Sequence, residues 1–208
     1  QFLSSAGWPE TMRLCGRARR EAGDGPTRLS FVEAISVLDR QPRELGHERT
    51  LVFFNDSDRF DYARPRQAVD LRSGVVCVPN NFHDDGPSGE GMVRLTALAN
   101  YDHWARLDPQ TYRAEKRAWY ERMTAAAARF VPDFRRAVVD ADLFTPVTIR
   151  RYTGHDGGAV YGHPQKHYDG RTPLENLYVC GTDQGLLGIV GAMLSGITMA
   201  NRHLLRNS

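Results

Sequence analysis

The chain has 208 residues, 41% of them hydrophobic and 25% charged, a balance typical of a folded globular protein rather than a disordered segment. Its 27 basic and 25 acidic residues are spread along the sequence, and the formal charge of +2 argues against nucleic acid as a partner. Three widely spaced cysteines, Cys15, Cys77 and Cys180, indicate neither a disulfide framework nor a zinc site. A reducing, cytoplasmic location is therefore expected.

The start of the chain carries no initiating methionine and no secretion signal, and we expect Gln1 to be a cut end. Residues 1–28 contain scattered glycines and receive no predicted element. The one basic cluster, Arg13–Arg20, is interpreted as a solvated face in preference to a contact with anionic lipid. The uncharged stretch Gly185–Ala200 is shorter than the roughly 20 apolar residues that cross a bilayer, so no spanning helix is expected.

Residues 29–140 read as several strands followed by one long helix. Short β-prone stretches that end in turn residues, and one alternating stretch, predict strands at Leu29–Ile35, Thr50–Phe54, Val75–Val78 and Met92–Tyr101. Asp108 before Pro109 is typical of a helix start, and apolar residues at helical spacing extend that helix to about Phe130.

Residues 141–208 hold the segment with chemical interest. The predicted order is a strand at Val147–Tyr152, a loop at Gly154–Gly170, a strand at Asn176–Cys180, a turn at Gly181–Leu187 and a helix at Gly188–Leu205. Met193, Ile197, Ala200 and Leu204 form the expected apolar stripe of that helix. The loop histidines His155, His163 and His167 favour a pocket lining or plain surface. No metal is expected, because Pro164 disfavours the helix that His163 and His167 would need as ligands.

The glycine turn and the helix start after it favour an electron-rich ligand. A helix start presents unpaired N–H groups and a partial positive charge, which would stabilise the edge of a reduced flavin ring. Gly188, Gly191 and Ala192 would let a flat ring approach the backbone closely. The alternative is that these small residues only permit tight packing of helix on strand, and the residues alone leave both open.

The segment Asn176–Leu205, NLYVCGTDQGLLGIVGAMLSGITMANRHLL, resembles the C-terminal flavin motif of phytoene desaturase-like oxidoreductases, a group that includes retinol saturases and is related to amine oxidases. Two upstream segments, Phe144–Gly162 and Gly74–Phe82, resemble the same group. The resemblance extends over most of the chain from about Leu29.

The resemblance implies an α/β (mixed α+β) fold, the C-terminal part of a two-domain FAD-dependent protein. Residues 29–140 would be substrate domain and residues 141–208 the C-terminal piece of the FAD-binding domain. In that group the acidic residue, here Asp183, bonds the FAD ribitol. Main-chain groups of Gly181 and Thr182 approach the pyrophosphate, and amides of Ile189 and Val190 face the flavin ring. The implied FAD contacts are Gly181, Thr182, Asp183, Gly188, Ile189, Val190, Gly191 and Ala192.

The implied reaction is oxidation or reduction of C–C bonds in an apolar polyene or lipid, such as a carotenoid or retinoid, with peripheral membrane contact following from that substrate class. No acid or base is assigned, because the flavin itself makes the bond. No GxGxxG lies between a strand and a helix, so the N-terminal Rossmann βαβ unit is missing and is an expected partner. The alternative is a truncated, non-catalytic module that binds a partner or apolar ligand without flavin.

Overall fold

The computed structural model describes residues 2–4, 7–16, 29–82 and 89–205. Within these ranges the chain is a mixed α/β protein. The strands are β1 Phe2–Ser4, β2 Ser30–Leu38, β3 Leu51–Asn55, β4 Ser73–Cys77, β5 Gly91–Ala99, β6 Val138–Phe144 and β7 Leu177–Val179. The α-helices are α1 Trp8–Leu14, α2 Tyr101–Ala105, α3 Pro109–Ala127, α4 Pro146–Thr153 and α5 Gly188–Met199. Over these same ranges, no helix is both long enough and apolar enough to cross a membrane.

The chain divides into two compact units. The sheet unit is Ser30–Thr148, and the turn unit combines Gln1–Leu29 with Ile149–Ser208. The assignment of residues 29–140 to substrate binding and of residues 141–208 to FAD binding stays a prediction. So does the cut end at Gln1, which lies outside the described residues, as does the second half of the Arg13–Arg20 cluster, Arg17–Arg20.

The sheet unit contains a five-stranded antiparallel sheet in the order β3-β4-β5-β2-β6. Burial alternates along β2, as expected for a sheet with one face on the core. That face packs against the α3 residues Trp119, Met123 and Ala127. The predicted strands within residues 29–101 are confirmed as β2, β3, β4 and β5, because period-two alternation and turn residues mark their faces and ends. The predicted end at Tyr101 is wrong, because β5 ends at Ala99 and Tyr101 starts helix α2, which the Asn100 side chain caps.

Helix α3 confirms the predicted start and ends three residues before the predicted end. Asp108 accepts the backbone N–H groups of Gln110 and Thr111 at 2.9 and 3.1 Å, and Pro109 occupies the first turn, where no N–H is needed. Beyond Ala127 the chain leaves the helix through tighter turns, with the N–H of Phe130 donating to the Ala127 carbonyl.

The predicted strand at Val147–Tyr152 is wrong, because these residues belong to helix α4. Pro146 starts the helix, and the Thr145 hydroxyl accepts the Thr148 N–H at 3.4 Å, a local cap that outweighs the β-branched composition. The strand of this region is β6. Its two acidic residues, Asp140 and Asp142, interrupt the apolar run that would have predicted a strand. β6 lies at the sheet edge, where charged side chains are typical.

The segment Pro79–Phe82, part of the stretch that resembles the flavin group, has a structural role in the sheet unit. The Asn81 amide is buried and donates to the carbonyls of His47 and Arg49 at 2.7 and 3.2 Å. Asn80 accepts the backbone N–H of Met92 at 2.9 Å. The two asparagines therefore tie the chain after β4 to the segment before β3 and to the start of β5.

Gly74 on β4 has no room for a side chain. A Cβ there would lie 2.8 Å from the Phe54 ring and 2.9 Å from the Thr96 carbonyl oxygen. Gly74→Ala is expected to cost about 1–3 kcal/mol, because the ring and the backbone must both move. Gly196→Ala is the control, since that helical glycine has nothing within 4 Å, and it should stabilise by about 0.5–1 kcal/mol. Urea unfolding should give a lower free energy of unfolding for Gly74→Ala and a higher one for Gly196→Ala. Equal effects would contradict the packing argument.

The turn unit contains the parallel pair β1-β7 and helix α5, continued by a π-helical turn at Ala200–Leu204. Strand β7 and the helix after it confirm the predicted elements. The predicted stripe is wrong at Met193 and Ile197, which are 59% and 51% exposed, whereas Ser195 and Met199 are fully buried. The buried side of α5 is small and polar at Ser195, and apolar periodicity does not register such a residue.

Candidate cofactor site

The glycine turn begins where strand β7 ends. Gly181 has φ +88°, a left-handed conformation that favours glycine. Its N–H donates to the Ser195 Oγ at 2.7 Å, so a fully buried hydroxyl on α5 fixes the turn to the helix. No local signal in the sequence marks this structural role of Ser195.

Asp183 lies in the glycine turn and is 3% exposed. Its Oδ2 accepts the backbone N–H of Trp8 at 2.5 Å, and its Oδ1 accepts the backbone N–H of His163 at 2.6 Å. Trp8 is the first residue of α1, so the carboxylate caps a short helix from a distant part of the sequence. Asp183 therefore connects the glycine turn to α1 and to the loop at Gly154–Gly170.

Lys166 makes a second connection between that loop and the turn. Its Nζ donates to the carbonyls of Tyr161 and of Thr182, the latter at 3.0 Å. Burial lowers the pKa of Lys166, and the nearby Asp183 carboxylate opposes that shift. The His167 ring stacks on Trp8 with 3.4 Å between ring centroids. These contacts join residues far apart in sequence and could not be predicted from spacing.

The start of α5 is open on its outer side. Leu187 at the N-cap offers no side-chain hydrogen bond to the first-turn amides, and Ile189 and Val190 are 92% and 63% exposed. An amide-rich helix start without a side-chain cap is a favourable position for an electron-rich ligand edge.

The glycines of the motif differ in what surrounds them: some permit tight packing, and others have open space where a ligand ring could approach. A Cβ at Gly191 would lie 2.9 Å from the Leu186 backbone, so this glycine permits tight packing of the turn on α5. A Cβ at Gly181 or Gly188 would have nothing within 4 Å. The left-handed φ of +75° accounts for glycine at position 188 without any packing contact, and the open space beside it leaves room for a ligand.

Asp183 has less free space beside it than a bound ribitol chain would need. The cavity beside it has a volume of about 30 Å³, room for a water molecule rather than a sugar chain. Two nearby buried atoms, His167 Nε2 and Gln184 Oε1, have no hydrogen-bond partner among the described residues. The helix start thus fits a flavin edge, whereas Asp183 is already engaged with backbone amides. Its bond to the ribitol stays a prediction.

The three loop histidines do not converge on one point. His155 Nδ1 pairs with the Ala159 carbonyl at 2.8 Å, and His163 Nδ1 pairs with the Gln165 carbonyl at 3.0 Å. Over the described ranges, no group of three or more His, Cys, Asp or Glu side chains is placed to hold a metal ion. Burial is the main cause that lowers the pKa of His167, and the neighbouring His163 lowers it further. The lower pKa favours the neutral form of His167.

The chain is similar to oxidoreductases, at the level of a flavin-type superfamily. It is 23% identical over 134 residues to rat pyridine nucleotide-disulfide oxidoreductase domain-containing protein 2, a match that covers 56% of this chain and 23% of the relative. It is 24% identical over 136 residues to Danio rerio all-trans-retinol 13,14-reductase, covering 57% of this chain and 22% of the relative. The matched region thus spans less than a quarter of each relative. No protein-family model matches the chain.

Proposed function

We propose that this chain is the C-terminal part of an FAD-dependent oxidoreductase of the phytoene desaturase-like kind, acting on C–C bonds of an apolar polyene such as a carotenoid or retinoid. The observation that carries the proposal is the start of α5, where Gly188 has open space beside it and the first-turn amides lack a side-chain cap. The similarity to a retinol reductase and to a second oxidoreductase supports the same class.

In this proposal the chain's own residues position the cofactor and tune it. The amides of Ile189 and Val190 would face the electron-rich edge of the flavin ring and stabilise its reduced form. The main chain at Gly181 and Thr182 would approach the pyrophosphate. Asp183 would act by holding the turn against α1 and the His163 backbone, and so would set where those amides lie. Bound FAD would supply the hydride chemistry.

The sheet unit offers a surface for an apolar substrate. One sheet face packs on the core, and the opposite face, here called the second sheet face, carries apolar side chains that include Phe53 at 75% exposure and Leu51 at 45%. Large exposed apolar side chains on a sheet are typical of a binding surface. Peripheral membrane contact is part of this proposal only because the proposed substrate class is apolar.

Gly188→Ala tests the proposed ring site. The added methyl group stands where the ring would approach the backbone, so FAD binding is expected to weaken about tenfold or more. Gly154→Ala is the matched control, because its φ of +70° resembles the +75° of Gly188 and both positions have nothing within 4 Å. FAD fluorescence titration of the two variants, each extended by native sequence upstream of Gln1, makes the comparison. Equal affinity in both would count against the ring site.

A second function is favoured by one observation. The Asp183 carboxylate is satisfied by the chain's own amides, and the cavity beside it is small, so Asp183 has its hydrogen bonds without a cofactor. This suits a non-catalytic module that binds a partner or apolar ligand. Such a module would bind the polyene and show no flavin absorbance, with or without upstream sequence.

A further inference from the structure

Strand β3 forms one edge of the five-stranded sheet, and among the described residues no strand lies on its outer side. At one end of its ladder with β4, the Thr50 carbonyl accepts the Val78 N–H at 2.8 Å. At the other end, the Asp56 N–H donates to the Arg72 carbonyl at 2.6 Å. Bonded residues alternate along an antiparallel ladder. The residues whose N–H and C=O groups point away from β4 are therefore Leu51, Phe53 and Asn55.

The outer side of β3 has the features of a strand that can pair with another. No described residue makes a hydrogen bond to the main chain of Leu51, Phe53 or Asn55 on that side. The strand contains neither a charged residue nor a proline, which commonly keep an edge strand from pairing. The side chains of Phe53 and Leu51 are 75% and 45% exposed, so apolar surface lies beside these unpaired backbone groups.

The opposite edge of the same sheet, strand β6, is closed to pairing. The Asp140 carboxylate accepts the N–H of Ala141 at 2.9 Å, and the Asp142 carboxylate accepts the N–H of Leu143 at 2.7 Å. Two acidic side chains thus occupy backbone donors that an added strand would need. The sheet therefore has one blocked edge and one open edge.

A second copy of β3 fits the open edge in the antiparallel orientation. With a two-fold axis at Phe53, every outward residue meets an outward residue of the other copy. Phe53 lies opposite Phe53 of the second copy, and Leu51 lies opposite Asn55. The two Phe53 side chains are then on the same face, with their Cα atoms about 5.5 Å apart, and cover part of each other.

The charges at the two ends of β3 also favour the antiparallel orientation. Glu48 and Arg49 precede the strand, and Asp58 and Arg59 follow it. None of these side chains has an ion-pair partner among the described residues. Antiparallel pairing brings the first pair of one copy to the second pair of the other, so that each charge has an opposite charge within reach. Parallel pairing would place Arg49 beside Arg49, which is unfavourable.

We propose that β3 is a dimerisation edge: two copies of this chain pair along β3, antiparallel about Phe53, into one continuous sheet. The dimer goes beyond the proposed function and is independent of it, because neither flavin nor substrate contributes to the pairing. FAD retention and self-association are measured separately, so one can fail without the other.

Sedimentation equilibrium of the 208-residue chain measures the association. We expect a dimer with a dissociation constant of about 10 μM or lower. Phe53→Lys puts two like charges at the axis, and Leu51→Pro removes one outward N–H while the ladder to β4 keeps its bonds. Each change should weaken the dimer about tenfold or more.

The matched control introduces a lysine at the other edge of the sheet. Val139 on β6 is 64% exposed, and Val139→Lys should leave the dissociation constant unchanged. Circular dichroism verifies that each variant is folded, and Phe53→Lys decides alone if Leu51→Pro is not.

A cysteine at the axis tests the register. Phe53→Cys should form a disulfide between two copies under mild oxidation, because the Cα separation of about 5.5 Å suits that bond. Leu51→Cys should not link to itself, since Leu51 lies opposite Asn55. Mass spectrometry of the linked peptides distinguishes these disulfides from those of the native cysteines. Equal linking at both positions would contradict the register.

Three results overturn the dimer. A chain that stays monomeric up to about 100 μM does not use this edge for self-association. A dimer that Phe53→Lys leaves intact forms through another surface. A dimer of the 208-residue chain that is lost when native upstream sequence is added would show that the longer protein covers β3 with a strand of its own.

Discussion

Replacing Asp183 with alanine is expected to destabilise the turn unit by about 3–5 kcal/mol in the absence of any cofactor. The carboxylate is 3% exposed and accepts the backbone N–H groups of Trp8 and His163. A hydrogen bond to a charged group contributes about 1.5–3 kcal/mol, and alanine leaves both part-buried donors without an acceptor. A methyl group also leaves part of the carboxylate's volume empty, which adds to the cost.

Hydrogen exchange measures this effect where it should occur. The amides around Trp8 and His163 should exchange faster in Asp183→Ala, whereas amides of β2 and β5 in the sheet unit should be unaffected. Asp183→Asn is the control, since it keeps one acceptor oxygen and should lie between alanine and the wild-type chain. Unchanged protection at Trp8 and His163 in the alanine variant would show that the carboxylate does not hold them.

Gly162→Ala is expected to damage the same part of the turn unit by steric overlap. Gly162 has φ +71°, and a Cβ there would lie 2.1 Å from Asp183 Oδ1 and 3.1 Å from Thr182 Cγ2. The left-handed backbone costs about 1–2 kcal/mol for a non-glycine residue. Displacement of the buried carboxylate adds about 2 kcal/mol or more, because it also loosens the bonds to Trp8 and His163.

Gly154→Ala separates the two costs. Gly154 has φ +70°, nearly the same backbone conformation, and nothing within 4 Å of its Cβ position. It should show the backbone cost alone. Urea unfolding of the two variants, followed by circular dichroism, should place Gly162→Ala well below Gly154→Ala in stability. Equal losses would mean that the close approach to Asp183 is unimportant.

Local patterns predicted the sheet unit well. Alternation along β2 and β5 and the Asp108–Pro109 start of α3 are short-range features, so the sequence displays them directly. Helix α4 shows where this reasoning fails, because the β-branched content of Val147–Tyr152 indicated a strand while Pro146 and the Thr145 cap start a helix.

The candidate site was predicted only in part, for a different reason. The strand, glycine turn and helix are contiguous in sequence, and their order was predicted correctly. The bonds from Asp183 to Trp8 and His163 join residues 175 and 20 positions away, and no spacing rule predicts such pairs. The buried Ser195 was missed because a hydroxyl within an apolar helix gives no periodic signal.

Flavin absorbance is the most direct test of the central claim. The 208-residue chain and a form extended by its native upstream sequence are purified. Each form is incubated with FAD, desalted and scanned for the visible flavin band. We predict a bound flavin in the extended form and weak or no retention in the 208-residue chain, which has no GxGxxG nucleotide-binding start. Absence of the flavin band from both forms would contradict the claim and leave a folded module without a cofactor.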